Sequence, residues 1–127
     1  MANPNLVSVT AIYGNSSSYL VSSTADPFAT ALVSNAASSG KVYKLNSIVV
    51  ANVNASSAAN ITIKIFPTAS LGGTGVALIS TASVPQNASL VVLDKTMQVY
   101  LLENQSIGAT AGTANALSVT CSWEELS

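Results

Sequence analysis

The sequence is poor in charge. Of its 127 residues only 7% are charged, against about 25% in ordinary soluble domains. Lys41, Lys44, Lys64 and Lys95 are offset by Asp26, Asp94, Glu103, Glu124 and Glu125, for a net charge of −1, and arginine and histidine are absent. So small a field exerts no pull on DNA, RNA or an anionic membrane, and none of these is expected as a partner. It also does little to keep free copies of the chain apart.

The missing histidine removes the commonest general acid–base catalyst, and the few carboxylates are scattered rather than paired. Asp94 beside Lys95 reads as a turn pair, and Glu124-Glu125 as a solvated pair. One cysteine and no histidine exclude the usual zinc sets, and no acidic cluster offers a calcium site. Cys121 has no partner for an intrachain disulfide and no histidine to activate it, so it reads as a small core hydrophobe. Leu71-Gly72-Gly73-Thr74-Gly75 has the glycines of a phosphate loop. It lacks the Lys-Ser/Thr and the helix that follow in a real one, and reads as a hairpin turn. No catalysis, metal or cofactor is expected.

Long apolar runs and a basic start are missing as well, so neither a membrane-spanning helix nor a signal peptide is expected. The chain is expected to be made and assembled in a cytosol. The sequons at Asn15, Asn54, Asn60, Asn87 and Asn104 are then expected to stay unmodified.

What is present is the vocabulary of strands and turns. Nearly half the residues are apolar (49%), many of them β-branched, and the rest are largely Ser, Thr and Asn. Disordered chains combine low hydrophobicity with high charge; the mean hydropathy here is positive, so a folded domain is expected. Residues 6–13 alternate, with Val7, Val9, Ala11 and Tyr13 on one face, before a turn at Gly14-Asn15-Ser16. Weaker strand signals follow at 19–21 and 28–33, broken by Asp26-Pro27. Residues 35–40 form a small-residue loop. Stronger ones start at Val42 and at Ile61, where Ile61, Ile63 and Ile65 point inward. Further strands are predicted at 76–82 and 90–93. Residues 97–102 and 106–111 read as a hairpin, and 116–123 as a last strand with Leu117, Val119, Cys121 and Trp123 on one face. No window carries a helical period. About eight to ten short strands with turns between them predict an all-β, antiparallel, jelly-roll-like β-sandwich. One such domain spans residues 6–127, behind a flexible arm at residues 1–5.

Several groupings match a known pattern. The first is Lys41-x-Tyr43-x-Leu45-x-Ser47-Ile48-x-Val50-Ala51-Asn52. The second runs from Ser83-Val84-Pro85 through Ala88-Ser89-Leu90 to Leu93-Asp94-Lys95. The third runs from Val99-Tyr100-Leu101 through Glu103-Asn104-Gln105-Ser106-Ile107 to Ala111. The last is Ser122-Trp123-Glu124-Glu125-Leu126. This layout resembles small virion structural proteins of tailed bacteriophages, especially phages of aquatic bacteria. Asn104-Gln105 departs from it, standing where Gly-Asp is usual in jelly-roll turns. The resemblance implies a non-enzymatic β-sandwich subunit present in many copies on the virion.

Two functions follow as expectations. One is a capsid decoration or cement protein, a homo-oligomer expected to be a trimer, bound to the major capsid protein or another virion protein. The other is a neck, tail or fibre subunit that contacts host glycan or another tail protein, with Tyr13, Tyr19, Tyr43, Tyr100 and Trp123 as platforms. The expected protein-interface residues are Asn3, Pro4 and Asn5 of the arm and Trp123, Glu124 and Glu125 near the C-terminus. As the last inward residue of its strand Trp123 reads first as a core anchor, with docking near an exposed C-terminal edge as the alternative. Lys41, Tyr43 and Lys44 are too few for a nucleic-acid footprint and read as a solvated strand face.

Overall fold

A computed structural model describes residues 4–25 and 30–127. Among them nine strands and no helix occur. The strands are β1 (Ile12–Leu20), β2 (Ala31–Asn35), β3 (Val42–Asn52), β4 (Ala59–Phe66), β5 (Val76–Val84), β6 (Ser89–Leu93), β7 (Val99–Leu101), β8 (Gln105–Ala111) and β9 (Leu117–Leu126). One sheet has the order β1-β9-β3-β6, with β7 also on β3; the other has the order β2-β8-β4-β5. All pairings are antiparallel. With β6 and β7 taken as two halves of one strand, this is the strand order of a jelly roll.

The core follows from alternation. Ile48 and Val50 of β3 pair with Cys121 and Val119 of β9 and point inward, all at 0% exposure. Ile61 and Ile63 of β4 and Ile107 of β8 meet them from the other sheet, also at 0%. Each such side chain contributes about 1.5–3 kcal/mol on burial. In β9, Leu117, Val119, Cys121 and Trp123 share the buried face, as the sequence predicts. In β4, Ile61 and Ile63 are fully buried and Ile65 packs, partly buried, against the same core, as the alternation predicts; β4 keeps unbroken register with β8, and the extra residues opposite Ile63 lie in β5.

Two expectations are corrected near the N-terminus. Residues 6–8 form a turn, closed by the Ser8 N–H on the Asn5 carbonyl (3.1 Å) and the Val7 N–H on Asn5 Oδ1 (3.0 Å). Val7 is 95% exposed. Gly14-Asn15-Ser16 is not a turn but the middle of β1, paired residue for residue with β9. The backbone groups of β9 would otherwise lack partners on that side, and this demand outweighs a local turn preference. Phe28 and Asp26-Pro27 lie outside the described residues; the strand predicted there is seen from Ala31 to Asn35.

A third correction concerns residues 98–112, which do not form a hairpin. β7 pairs with β3 in one sheet, while β8 lies between β2 and β4 in the other. β8 is buried from Ser106 to Ala111 and uses both of its edges, so none is left for β7. Residues 102–104 instead cross between the sheets. Asn104 takes φ 58°, a conformation Asn tolerates, and Gln105 Oε1 accepts the Leu102 N–H at 2.8 Å. The glycine-rich segment joins β4 to β5 as predicted, but it also folds back toward β8. Ser106 Oγ donates to the Thr68 carbonyl (2.6 Å) and accepts from the Leu71 N–H (3.1 Å). Gly73, at φ +82°, could not carry a Cβ, which would lie 2.7 Å from Pro67.

Buried asparagines do the fastening that ion pairs do elsewhere. Asn35, at 0% exposure, donates to the carbonyls of Lys41 (3.0 Å) and Leu101 (3.2 Å), linking β2 to β7 in the opposite sheet. Asn52 donates to the carbonyls of Ser57 (3.1 Å) and Val84 (2.9 Å). Replacing Asn35 by Leu removes the donor to the buried Leu101 carbonyl and to the partly buried Lys41 carbonyl, and a loss of about 1–3 kcal/mol is expected in urea denaturation. Ser18→Ala, on an exposed strand, is expected to stay within about 0.5 kcal/mol.

Candidate interaction surface

A cavity of about 50 Å³ lies beside the end of β1, lined by Tyr19, Leu20, Val21, Ser22, Ser23, Thr30 and Ala109. It has room for only a water or two and is far below the roughly 300–1,000 Å³ of a small-molecule site. Among the described residues no three Cys, Asp or Glu side chains converge, and no helix is long and apolar enough to cross a membrane. Asp94 lies in an exposed turn, where hydrogen bonds from the Thr96 hydroxyl and N–H lower its pKa. Burial pushes the Cys121 thiol up to about 12, which leaves it protonated and unreactive at neutral pH.

The residues expected at an interface near the C-terminus are turned to internal contacts. Trp123 is 9% exposed and stacks on Tyr43, with ring centroids 5.9 Å apart and planes at 23°. Contrary to the solvated strand face expected from the sequence, Tyr43 is buried, because its ring fills the space beside Trp123. Glu124 Oε1 accepts from Asn46 Nδ2 (3.2 Å), the extra residue of a bulge in β3. Glu125 pairs with Lys41 Nζ at 3.5 Å and accepts a hydrogen bond from Tyr43. Pro4 is half-buried and Asn5 caps the turn that leads into β1; Asn3 lies outside the described residues.

The surface that stands out is the edge of the first sheet at β1, which pairs with no further strand among the described residues. Ala11 and Ser127 exchange both backbone bonds (3.2 and 3.1 Å), and the Val21 N–H reaches the Leu117 carbonyl at 2.8 Å. Backbone direction alternates along a strand, so the odd-numbered residues of β1 bond to β9. The N–H and C=O groups of Ile12, Gly14, Ser16, Ser18 and Leu20 then point away from the sheet. β1 runs nine residues without a register shift and contains no charge and no proline. Natural edges are normally blunted by such devices. Ile12 (57% exposed), Tyr13 (62%) and Leu20 (47%) flank this edge, with Leu6 and Val7 exposed just before it.

This edge went unread in the sequence because Gly14-Asn15 imitates a turn. The available signal was a stretch of residues 12–20 with neither lysine nor proline to guard it.

Compared with known proteins, the chain matches no family model and no curated protein.

Burial, and after it the hydrogen bond and charge of Glu125, push the Tyr43 phenol up from 10.0 to about 12. The folded state thus holds this proton more tightly than the unfolded state. The resulting stability is complete below pH 10 and is lost as the pH rises from 10 toward 12. Urea midpoints measured across that window are expected to fall more steeply for the native chain than for Tyr43→Phe.

Proposed function

We infer that the chain is a non-enzymatic structural subunit of a bacteriophage virion, a decoration or cement protein that stabilises the head lattice. The observation that supports this reading most is the long, uncharged and unguarded edge of β1 on a rigid jelly roll. Viral capsid domains share this architecture, an argument by analogy of fold. Such a subunit acts by packing: it buries apolar and small-residue surface against copies of itself and against the major capsid protein or another virion protein, and extends sheets across contacts. It is assembled in the bacterial cytoplasm and leaves in the particle. The resemblance of residues 41–126 to small virion proteins points the same way. Residues 3–5 precede the turn that leads into β1, where an arm would reach a neighbour.

Two measurements test this. Mass spectrometry of purified particles is expected to find the chain, and cryo-electron microscopy to find it at regular positions over the head shell. Density confined to the neck, tail or fibres, or absence from particles, overturns the assignment. With few ion pairs to screen, its affinity for empty heads is expected to change less than about threefold between 0.15 and 1 M salt.

A further inference from the structure

We propose that β1 is a homodimerisation edge: two copies pair their β1 strands antiparallel about a two-fold axis at Ser16, joining two sheets into one.

The first argument is backbone phase. Antiparallel pairing across an open edge requires that facing residues share a phase: those that point their N–H and C=O groups outward face one another as hydrogen-bonded pairs, with non-hydrogen-bonded pairs between them. In β1 these are the even-numbered positions, as the bonds of Ala11 and Val21 to β9 require. Ser16 is the midpoint of Ile12–Leu20 and is one of them. Centring the pair there brings the whole strand into register. Ser16 faces Ser16 of the second copy, Gly14 faces Ser18, and Ile12 faces Leu20.

The second argument is side-chain self-complementarity. Read outward from Ser16, the strand is nearly symmetric: Asn15 and Ser17, Gly14 and Ser18, Tyr13 and Tyr19, Ile12 and Leu20. The two-fold therefore sets aromatic against aromatic and aliphatic against aliphatic, with small residues at the axis. Tyr13 meets Tyr19 of the second copy at a non-hydrogen-bonded pair, where side chains come closest. The exposed Ile12, Tyr13 and Leu20 all gain partners. Because β1 carries no charge, no like charges meet at the axis.

The other edges are poorer templates. β5 is as long, but its register against β4 shifts twice, and Thr81 takes φ 48°, which bends it. β2 and β6 have five residues each, and each is bulged against its partner strand.

An isologous pair of this kind closes on itself, giving a dimer where the decoration-protein expectation is a trimer. It stands whether or not the chain belongs to a virion. A ladder of this length with three apolar residues beside it falls at the small end of interface sizes, so dissociation in the micromolar range is expected.

The test uses the full chain. Sedimentation equilibrium over a micromolar concentration series is expected to give a mass rising to twice 12.8 kDa. Ser16→Lys sets two like charges at the axis and is expected to raise the dissociation constant about tenfold, with the circular dichroism unchanged. Ser16→Cys is expected to form a disulfide-linked dimer on oxidation, since hydrogen-bonded pairs place Cα atoms about 5.5 Å apart. Gly14→Cys, whose added Cβ meets nothing within 4 Å, is expected to cross-link with Ser18→Cys but not with itself. Its own copy lies roughly 13 Å away along the strand. A monomer or trimer throughout the series overturns the proposal, as does Gly14→Cys linking to itself as readily as Ser16→Cys.

Discussion

The ladder between β3 and β9 is the contact on which the first sheet depends. It joins Val42–Asn52 to Leu117–Leu126 and so brings the end of the chain into the middle of the fold. Its inner face supplies Ile48, Val50, Val119 and Cys121 to the core. Its outer edges decide everything else in that sheet: β9 offers one side to β1, and β3 offers the other to β6 and β7 in turn. Loss of this pairing would cut β1 and β9 off from the rest of the sheet. Because the ladder links distant parts of the sequence, loop-closure entropy is spent before it forms, and a jelly roll of this kind belongs among the slower-folding topologies.

Scarcity of charge shapes the rest. With few ion pairs available, the chain ties its sheets together through amide side chains that reach backbone carbonyls, Asn35 and Asn52 above all. Such bonds are insensitive to salt and cost little desolvation compared with a buried ion. The same scarcity leaves the sheet edges without the lysines that keep most β-proteins apart. A domain built this way is suited to contact with other chains. The buried amides and the unguarded edge are consequences of one composition.

The reading of the C-terminal residues shows how a side chain can be identified correctly and placed wrongly. Trp123 is the only tryptophan, and tryptophan is common both in cores and at interface hot spots. Tyr43 decides between them here by stacking on it. Glu124 and Glu125, which look solvated in a terminal run, accept bonds from Asn46 and from Lys41 and Tyr43. The cluster braces one end of β9, directly beside Tyr13, Gly14 and Asn15 of β1.

The sequence by itself determined the class of the fold and most of its core. Period-two patterns in residues 42–52, 61–66 and 117–123 are local properties, set by which face of a strand each residue occupies. They locate buried residues such as Ile61 and Val119 without knowledge of neighbours. The low charge and the absence of histidine, likewise countable, argued against chemistry. Only the tertiary structure decided which strands pair. Residues 98–112 look like a hairpin because two strands flank a short polar turn. They belong to different sheets because β8 has both edges taken by β2 and β4. Gly14-Asn15-Ser16 looks like a turn and is a strand because β9 needs a partner there. Edge and centre are properties of the assembled sheet, and hydrogen-bond demand from distant residues exceeds the local preference of any three or four.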